Sequence, residues 1–396
     1  MFCRRAVRLY PVDMNLAKVR ACFEANFRER GELGAAVSIW QEGEEVLSLS
    51  DGWRDRQQTV PWTPGTLVLV WSITKGLAAA CLLHALAADR VALSTPVAAL
   101  WPEFAAAGKA GITLEGLLSH QSGLAAMADP EASILDHAAV AAALEAQAPC
   151  WAPGTAHGYG PRTFGFLVDE LLRRLRPGQT VSSYWWRVFA EPLGLDLWIG
   201  LPDNQAGRVA SVYPARTVLG QEGPLGPFYE ALADEKSLTR RAFSAPRGLH
   251  SVASMNTAEG RRQTIASFSG IGSAHALGRF YAMLANGGGL DGTRFFAPET
   301  VAAMSNAQVS GMDRVLCLET AFSAGFMQDP LSAEGGKRRQ VYGPSLRAFG
   351  QPGAGGSHVF ADPEHNLAFA YVMNQMELGV LPNEKSLSMV RALYER

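Results

Sequence analysis

Thr66-Leu67-Val68-Leu69-Val70-Trp71-Ser72-Ile73-Thr74-Lys75-Gly76-Leu77-Ala78-Ala79-Ala80-Cys81-Leu82-Leu83 is the stretch on which the reading of this chain turns. Its first six residues are β-rich. From Ser72 the pattern changes to an Ala- and Leu-rich helix reaching about Asp89. Three residues apart on that helix, Ser72 and Lys75 share a face and come within hydrogen-bond reach. The Ser72 N–H then lies at a helix N-terminus, where unpaired amides and the dipole favour negative charge on a reacting oxygen. The helix behind it is apolar nearly all round, so it is expected to be buried. Burial disfavours a charged lysine, and a catalytic amine needs its pKa drawn from about 10.4 towards about 7–8. The spacing alone proves little, because Ser-x-x-Lys arises by chance roughly once in a chain of this length. The bland alternative is a surface lysine one turn into a helix that Ser72 caps, and the segment by itself leaves both readings open.

Working outward, Asn15 to Arg30 carries Leu16, Val19, Cys22, Phe23 and Phe27 at near-helical spacing, which predicts an amphipathic helix. Ala36 to Trp40 and Glu44 to Asp51 predict a β-hairpin turning at Gly43. Helical and loop segments dominate from the Ser72 helix to about Gly287. Near the C-terminus, Ser357 to Ala361 and Leu367 to Asn374 are strand-like around the turn Asp362 to Asn366, and Lys385 to Tyr394 reads as a final helix. Strands at both ends and helices between predict one sheet built from both termini with a helical region inserted. The expected division is a discontinuous sheet domain, 1–85 with 330–396, and a mostly helical region, 86–329, with a lid-like segment around 221–269.

The 396 residues are 48% hydrophobic and 18% charged, as suits a compact enzyme rather than a disordered chain. Net charge is −2, and basic pairs such as Arg4-Arg5, Arg173-Arg174 and Arg261-Arg262 are read as solvated surface. No nucleic-acid partner is expected from that distribution. Met1 to Pro11 carries three arginines but no apolar signal-peptide core, and no segment reaches the roughly 18 apolar residues of a membrane span. Five scattered cysteines without Cys-x-x-Cys spacing read as reduced thiols, so a cytoplasmic location and no membrane partner are expected. The eight histidines show no metal-ligand spacing, and no Gly-x-Ser-x-Gly pentapeptide is present. Neither a metal nor another cofactor is expected.

Other segments decide between the two readings of Ser72. Leu117-Leu118-Ser119-His120-Gln121-Ser122-Gly123-Leu124 resembles the Leu-Leu-(Ser/Thr)-His-x-(Ser/Ala)-Gly-Leu segment of class C β-lactamases and family VIII carboxylesterases. Trp101 to Phe104 and Gly108-Lys109 resemble the esterase-like branch of that superfamily. Trp151-Ala152-Pro153-Gly154-Thr155 followed by Tyr159 is similar to the segment that delivers its catalytic tyrosine, and Phe349 to Ser357 with Asp362-Pro363 resembles its third motif. The matches keep their order from about Gly34 to Asn374. They imply a β-lactamase/transpeptidase-like α/β (α+β) fold with an antiparallel sheet flanked by helices. They also imply an acylated Ser72, Lys75 as its base, Tyr159 as a second proton carrier, and backbone N–H groups of Ser72 and Ala354 as the oxyanion hole. Gln351, Gly353, His120 and Trp151 are placed about the substrate, with His120 holding a loop near the site.

Two departures bear on the substrate. The tyrosine motif of β-lactamases ends in Tyr-x-Asn, whereas here it reads Tyr159-Gly160-Pro161. The third motif usually begins with Lys, or with His in esterase-like members, and here begins with the uncharged Gln351. Both changes point away from penicillins and towards a small neutral ester, or an acyl donor recognised elsewhere. An acyltransferase with an alcohol or amine acceptor uses the same acyl-enzyme, and a catalytically silent binding protein keeps the fold without the chemistry. The oligomeric state is not encoded in any motif.

Overall fold

The computed structural model describes residues 14–215 and 226–395. Helix α1 (Leu16–Glu29) begins at Asn15, whose side chain accepts from the Lys18 amide, as an N-cap should. The predicted hairpin is strands β1 (Gly34–Gln41) and β2 (Glu44–Gly52). Its turn places Glu42 and Gly43 at positive φ, 53° and 86°. Strand β3 (Val68–Trp71) runs into helix α2 (Ile73–Ala88), which is buried along most of its circumference.

The middle of the chain supplies α3 (Leu114–Leu118), α4 (His137–Ala146), α5 (Thr163–Leu175), α6 (Val181–Trp185) and a short strand β4 (Leu197–Ile199). It continues through α7 (Gly226–Ala233), α8 (Leu238–Ser244), α9 (Val252–Met255), α10 (Ala258–Arg262), β5 (Gly270–Gly272) and α11 (Ala274–Ala285). After the ribbon β6 (Gly289–Leu290) and β7 (Thr293–Arg294) comes α12 (Pro298–Ser305). The remaining strands are β8 (Val309–Met312), β9 (Glu319–Phe322), β10 (Met327–Gln328), β11 (Phe349–Pro352), β12 (His358–Asp362) and β13 (Leu367–Met373), before the last helix α13 (Glu384–Tyr394).

The main sheet has the order β2-β1-β13-β12-β11-β10-β9-β8, and its pairings are antiparallel. Strand β1 pairs with β13 so that Ala35 faces Met373 and Gln41 faces Leu367. Successive side chains of a strand point to opposite faces, and β13 sorts itself accordingly. Ala368, Ala370 and Val372 join the core built on α2 and α11, while Phe369, Tyr371 and Met373 join the one built on α1 and α13. The sheet is thus covered on both faces. On the inner face small residues admit the helix: a Cβ on Gly278 of α11 would lie 2.7 Å from Trp40 and Ser38 of β1.

Two expectations about the layout need correction. Three strands of the main sheet, β8 to β10, fall within 309–328, inside the stretch 86–329 expected to be mostly helical and separate from the sheet. The β-rich run before Ser72 does not join the main sheet; β3 pairs with β5 in a separate sheet ordered β3-β5-β4. Glycines permit that packing, since a Cβ on Gly270 would meet Thr74 Oγ1 at 2.7 Å. Arg174 is not simply solvated either, because it binds Glu103, Glu145 and Glu170. Arg4-Arg5, Cys3 and the segment Met1 to Pro11 lie outside the described residues, as do 221–225 of the lid-like segment. Cys22, Cys81, Cys150 and Cys317 are free thiols. Among the described residues no helix is long and apolar enough to cross a membrane.

Candidate active site

The junction of β3 and α2 carries the expected nucleophile. Trp71 sits at φ 50°, a left-handed conformation uncommon for a bulky residue and frequent at functional turns. The Thr74 hydroxyl donates to the Trp71 carbonyl at 2.5 Å and fixes the turn. The Ser72 side chain forms no cap bond with the helix. Its partners are Lys75, with Nζ 3.4 Å from Oγ, and the Tyr159 phenol.

Lys75 is not the surface lysine of the bland reading, being 1% exposed. Its Nζ donates to the carbonyls of Pro161 at 2.9 Å and Ser267 at 2.8 Å. Burial, reinforced by the Arg162 guanidinium, holds its pKa well below the ordinary lysine value. An amine held by two carbonyls this close to a serine hydroxyl has the geometry a general base requires.

Tyr159 lies across from it, its ring centroid 4.8 Å from Lys75 Nζ. Burial raises the phenol well above its ordinary pKa, against the opposing hydrogen bonds from Ser72 and Gln351. Tyr159 is therefore a proton-bearing phenol and not a phenolate. Its backbone is tied down by Asp313, both of whose carboxylate oxygens accept from the Tyr159 amide at 3.1 Å. Asp313 also accepts from the amides of Val315 and Leu316 and from the Thr320 hydroxyl. Burial pushes its carboxyl up to about 6 in spite of those bonds. His120, at φ 62°, accepts from the Gly160 amide through Nδ1 at 3.2 Å, and its ring packs against Tyr159, Phe164 and Phe322. Burial, the first cause, holds that imidazole well below its ordinary pKa.

Strand β11 closes the other side. Gln351 is 2% exposed and its Nε2 donates to the Tyr159 hydroxyl at 3.4 Å. A Cβ at Gly353 would stand 2.5 Å from the carbonyl oxygen of Val70, so only glycine lets β11 come this close to β3. That approach brings Ala354 alongside the turn that carries Ser72. Among the described residues neither the Ser72 nor the Ala354 amide donates a turn, loop or cap bond to a backbone carbonyl.

Trp151 is 7% exposed, packs with Ala125, Ala126, Ala242 and Val315, and donates its indole N–H to the Ala156 carbonyl. His120 accepts from the Gly160 amide next to Tyr159. Lys109 of the esterase-like stretch is buried and satisfies the carbonyls of Ala106, Glu145 and Gln147. The end of the lid-like segment is interior, since Ser267 holds Lys75 and Phe268 packs 6.5 Å from Trp71. Pro161, which offers no side-chain donor, contributes its carbonyl. Arg162, Asp313 and Ser267 were not anticipated; two of the carbonyl contacts to Lys75 use backbone atoms that any residue supplies, so no side-chain pattern announces them. Among the described residues no cluster of potential metal ligands occurs.

The family model described as Beta-lactamase matches residues 19–392. The chain is 32% identical to Esterase/beta-lactamase LipL of Mycobacterium tuberculosis over 373 residues, 92% of this chain and 82% of that protein. A penicillin-binding protein homologue from Caulobacter crescentus superposes with a TM-score of 0.84 at 39% identity, covering 96% of this chain and 97% of its own. A family VIII carboxylesterase superposes with a TM-score of 0.83 at 32% identity, covering 96% and 97%.

Proposed function

Because the chain belongs to the Beta-lactamase family, we propose that it is a serine hydrolase of carboxylic esters working through an acyl-enzyme on Ser72. Neutral Lys75 takes the Ser72 proton as Oγ attacks the ester carbonyl. The amides of Ser72 and Ala354 receive the oxyanion, a role in which each donor is worth about 10²–10³ in rate. The Tyr159 phenol, bound to the Ser72 hydroxyl, passes a proton to the departing alcohol oxygen and is reprotonated through Lys75. Water attacking the acyl-enzyme, with its proton going to the same pair, releases the acid and restores Ser72.

The observation that carries this reading is the buried Lys75 amine, its pKa held well below the ordinary lysine value, 3.4 Å from a serine hydroxyl that also binds the Tyr159 phenol. The test is incubation with nitrophenyl butyrate, following chromophore release and intact mass, with Ser72→Ala as control. Turnover with an acyl adduct that the variant lacks supports the reading; a folded protein that neither releases chromophore nor gains mass refutes it. Transfer to an alcohol shares the first half of the cycle, and an acceptor titration at constant acyl donor separates it from hydrolysis by whether product is diverted from the free acid. A cytoplasmic setting accords with the free thiols.

A further inference from the structure

The expectation of a neutral ester rested on Gln351 standing where a cation is usual, yet a cation is supplied from the opposite flank. Arg162 follows Tyr159 by three residues and is only 6% exposed. Its Nε donates to the Pro246 carbonyl at 2.9 Å and its Nη2 to that of Gly248. A guanidinium has five N–H donors, so three remain after these two bonds. Among the described residues no carboxylate pairs with it, and Nη1 carries no hydrogen bond and is not among the sealed-in polar atoms. Burying a charge with only two carbonyls and a ring to offset it is costly, and an incoming anion would match a guanidinium held this way. Burial lowers its pKa only to about 10, so the charge persists at neutral pH.

The guanidinium lies near the Ser72 turn, where its charge acts on Lys75. Its Cζ lies 5.2 Å from the ring centroid of Phe268, whose ring packs against Trp71, the residue before Ser72. The Arg162 carbonyl accepts from the Ser267 hydroxyl, while the Ser267 carbonyl holds Lys75. The surrounding rim is basic as well: Arg162, Arg240 and Arg247 all act on His250, and the carboxylate met there, Glu131, binds Arg247. Such a field draws anions towards the cleft.

We propose that Arg162 is a specificity-determining residue that binds a carboxylate of the substrate through its free Nη1 and Nη2 donors, so that the preferred ester carries a second, ionised carboxyl group. This rests on Ser72 being the acylated residue. The structural alternative is that Arg162 serves only as a strut for the loop at 246–248.

The experiment compares kcat/KM for nitrophenyl butyrate and nitrophenyl hemiglutarate, which differ in a terminal carboxylate. The wild-type protein should favour the hemiglutarate by about 10–100-fold, the range for a hydrogen-bonded charge pair, with most of the difference in KM. Arg162→Gln should bring the ratio close to one, and Arg162→Lys should restore part of it. A wild-type ratio near one overturns the proposal without any variant. So does a ratio that Arg162→Gln leaves unchanged while both rates fall together, which is the signature of a strut. If neither ester is turned over and Ser72 gains no acyl group, the hydrolase reading itself has failed and the proposal falls with it. Butyrate turnover with a ratio near one removes the proposal alone.

Discussion

Replacing Lys75 by alanine separates its chemical role from its structural one. The amine satisfies the buried carbonyls of Pro161 and Ser267, and each left without a donor costs about 1–3 kcal/mol. The three lost methylenes add about 0.8 kcal/mol each. Water entering the vacated space returns part of this, leaving a net destabilisation of about 2–5 kcal/mol. Ser72→Ala removes one hydroxyl with two partners and should cost only about 0.5–1.5 kcal/mol. In rate the two variants should be alike, each down by at least about 10³-fold, because residues that act as a unit do not contribute additively. Chromophore release from nitrophenyl butyrate gives the rates, and urea unfolding with an unchanged m-value gives the stabilities. A Lys75→Ala protein that unfolds at the wild-type midpoint, or turns over within tenfold of wild type, refutes the account of Lys75 as a buried, bonded base.

The pH dependence has a definite sign. Lys75 accepts a proton only when neutral, so kcat/KM should be full above its depressed pKa and fall with decreasing pH through it; since Arg162 is one of the causes of the depression, Arg162→Gln should move that acid limb to higher pH. A limb that stays in place would show that Lys75 does not feel Arg162. Asp313→Ala strips the acceptor from three amides and the Thr320 hydroxyl and should destabilise by about 3–5 kcal/mol, with Asp313→Asn milder in denaturant titrations. Gly353→Ala forces a Cβ to 2.5 Å from the Val70 carbonyl. The variant should lose about 10²–10³ in kcat, as for an oxyanion donor, and wild-type turnover would show that β11 does not align Ala354.

Much of this was readable because the pattern and the packing coincide. An all-round apolar α2 can only be an interior helix, and its burial is the first cause of the depressed Lys75 pKa. The alternation in Leu367 to Met373 is fully buried, yet it still divides small from large residues between two faces. Strands β8 and β10 escaped because one holds a glycine in four residues and the other is two residues long, too short for a period of two to register. Asp313 is a lone acid in a loop, and only the fold gives it Tyr159 to hold. An aromatic beside the tyrosine segment reads equally well as a contact or as packing, and the Trp151 indole does lie in a buried apolar cluster.

The pairing of β1 with β13 also governs the order in which the protein can mature. Gln41 and Leu367 are register partners, and at about 5–20 residues per second a ribosome takes roughly 15–65 s to make the chain between them. Throughout that interval β1 has β2 on one side and an open hydrogen-bonding edge on the other, which is an aggregation hazard for a nascent chain. The helix bearing Ser72 is synthesised well before β11, the Ala354 turn and the strands that support them. On the proposed mechanism the growing polypeptide therefore carries Ser72 without the Ala354 amide until that turn has been made. Acylation by esters in the cell should be inefficient until then, and the step that closes the sheet is also the step that completes the proposed oxyanion site.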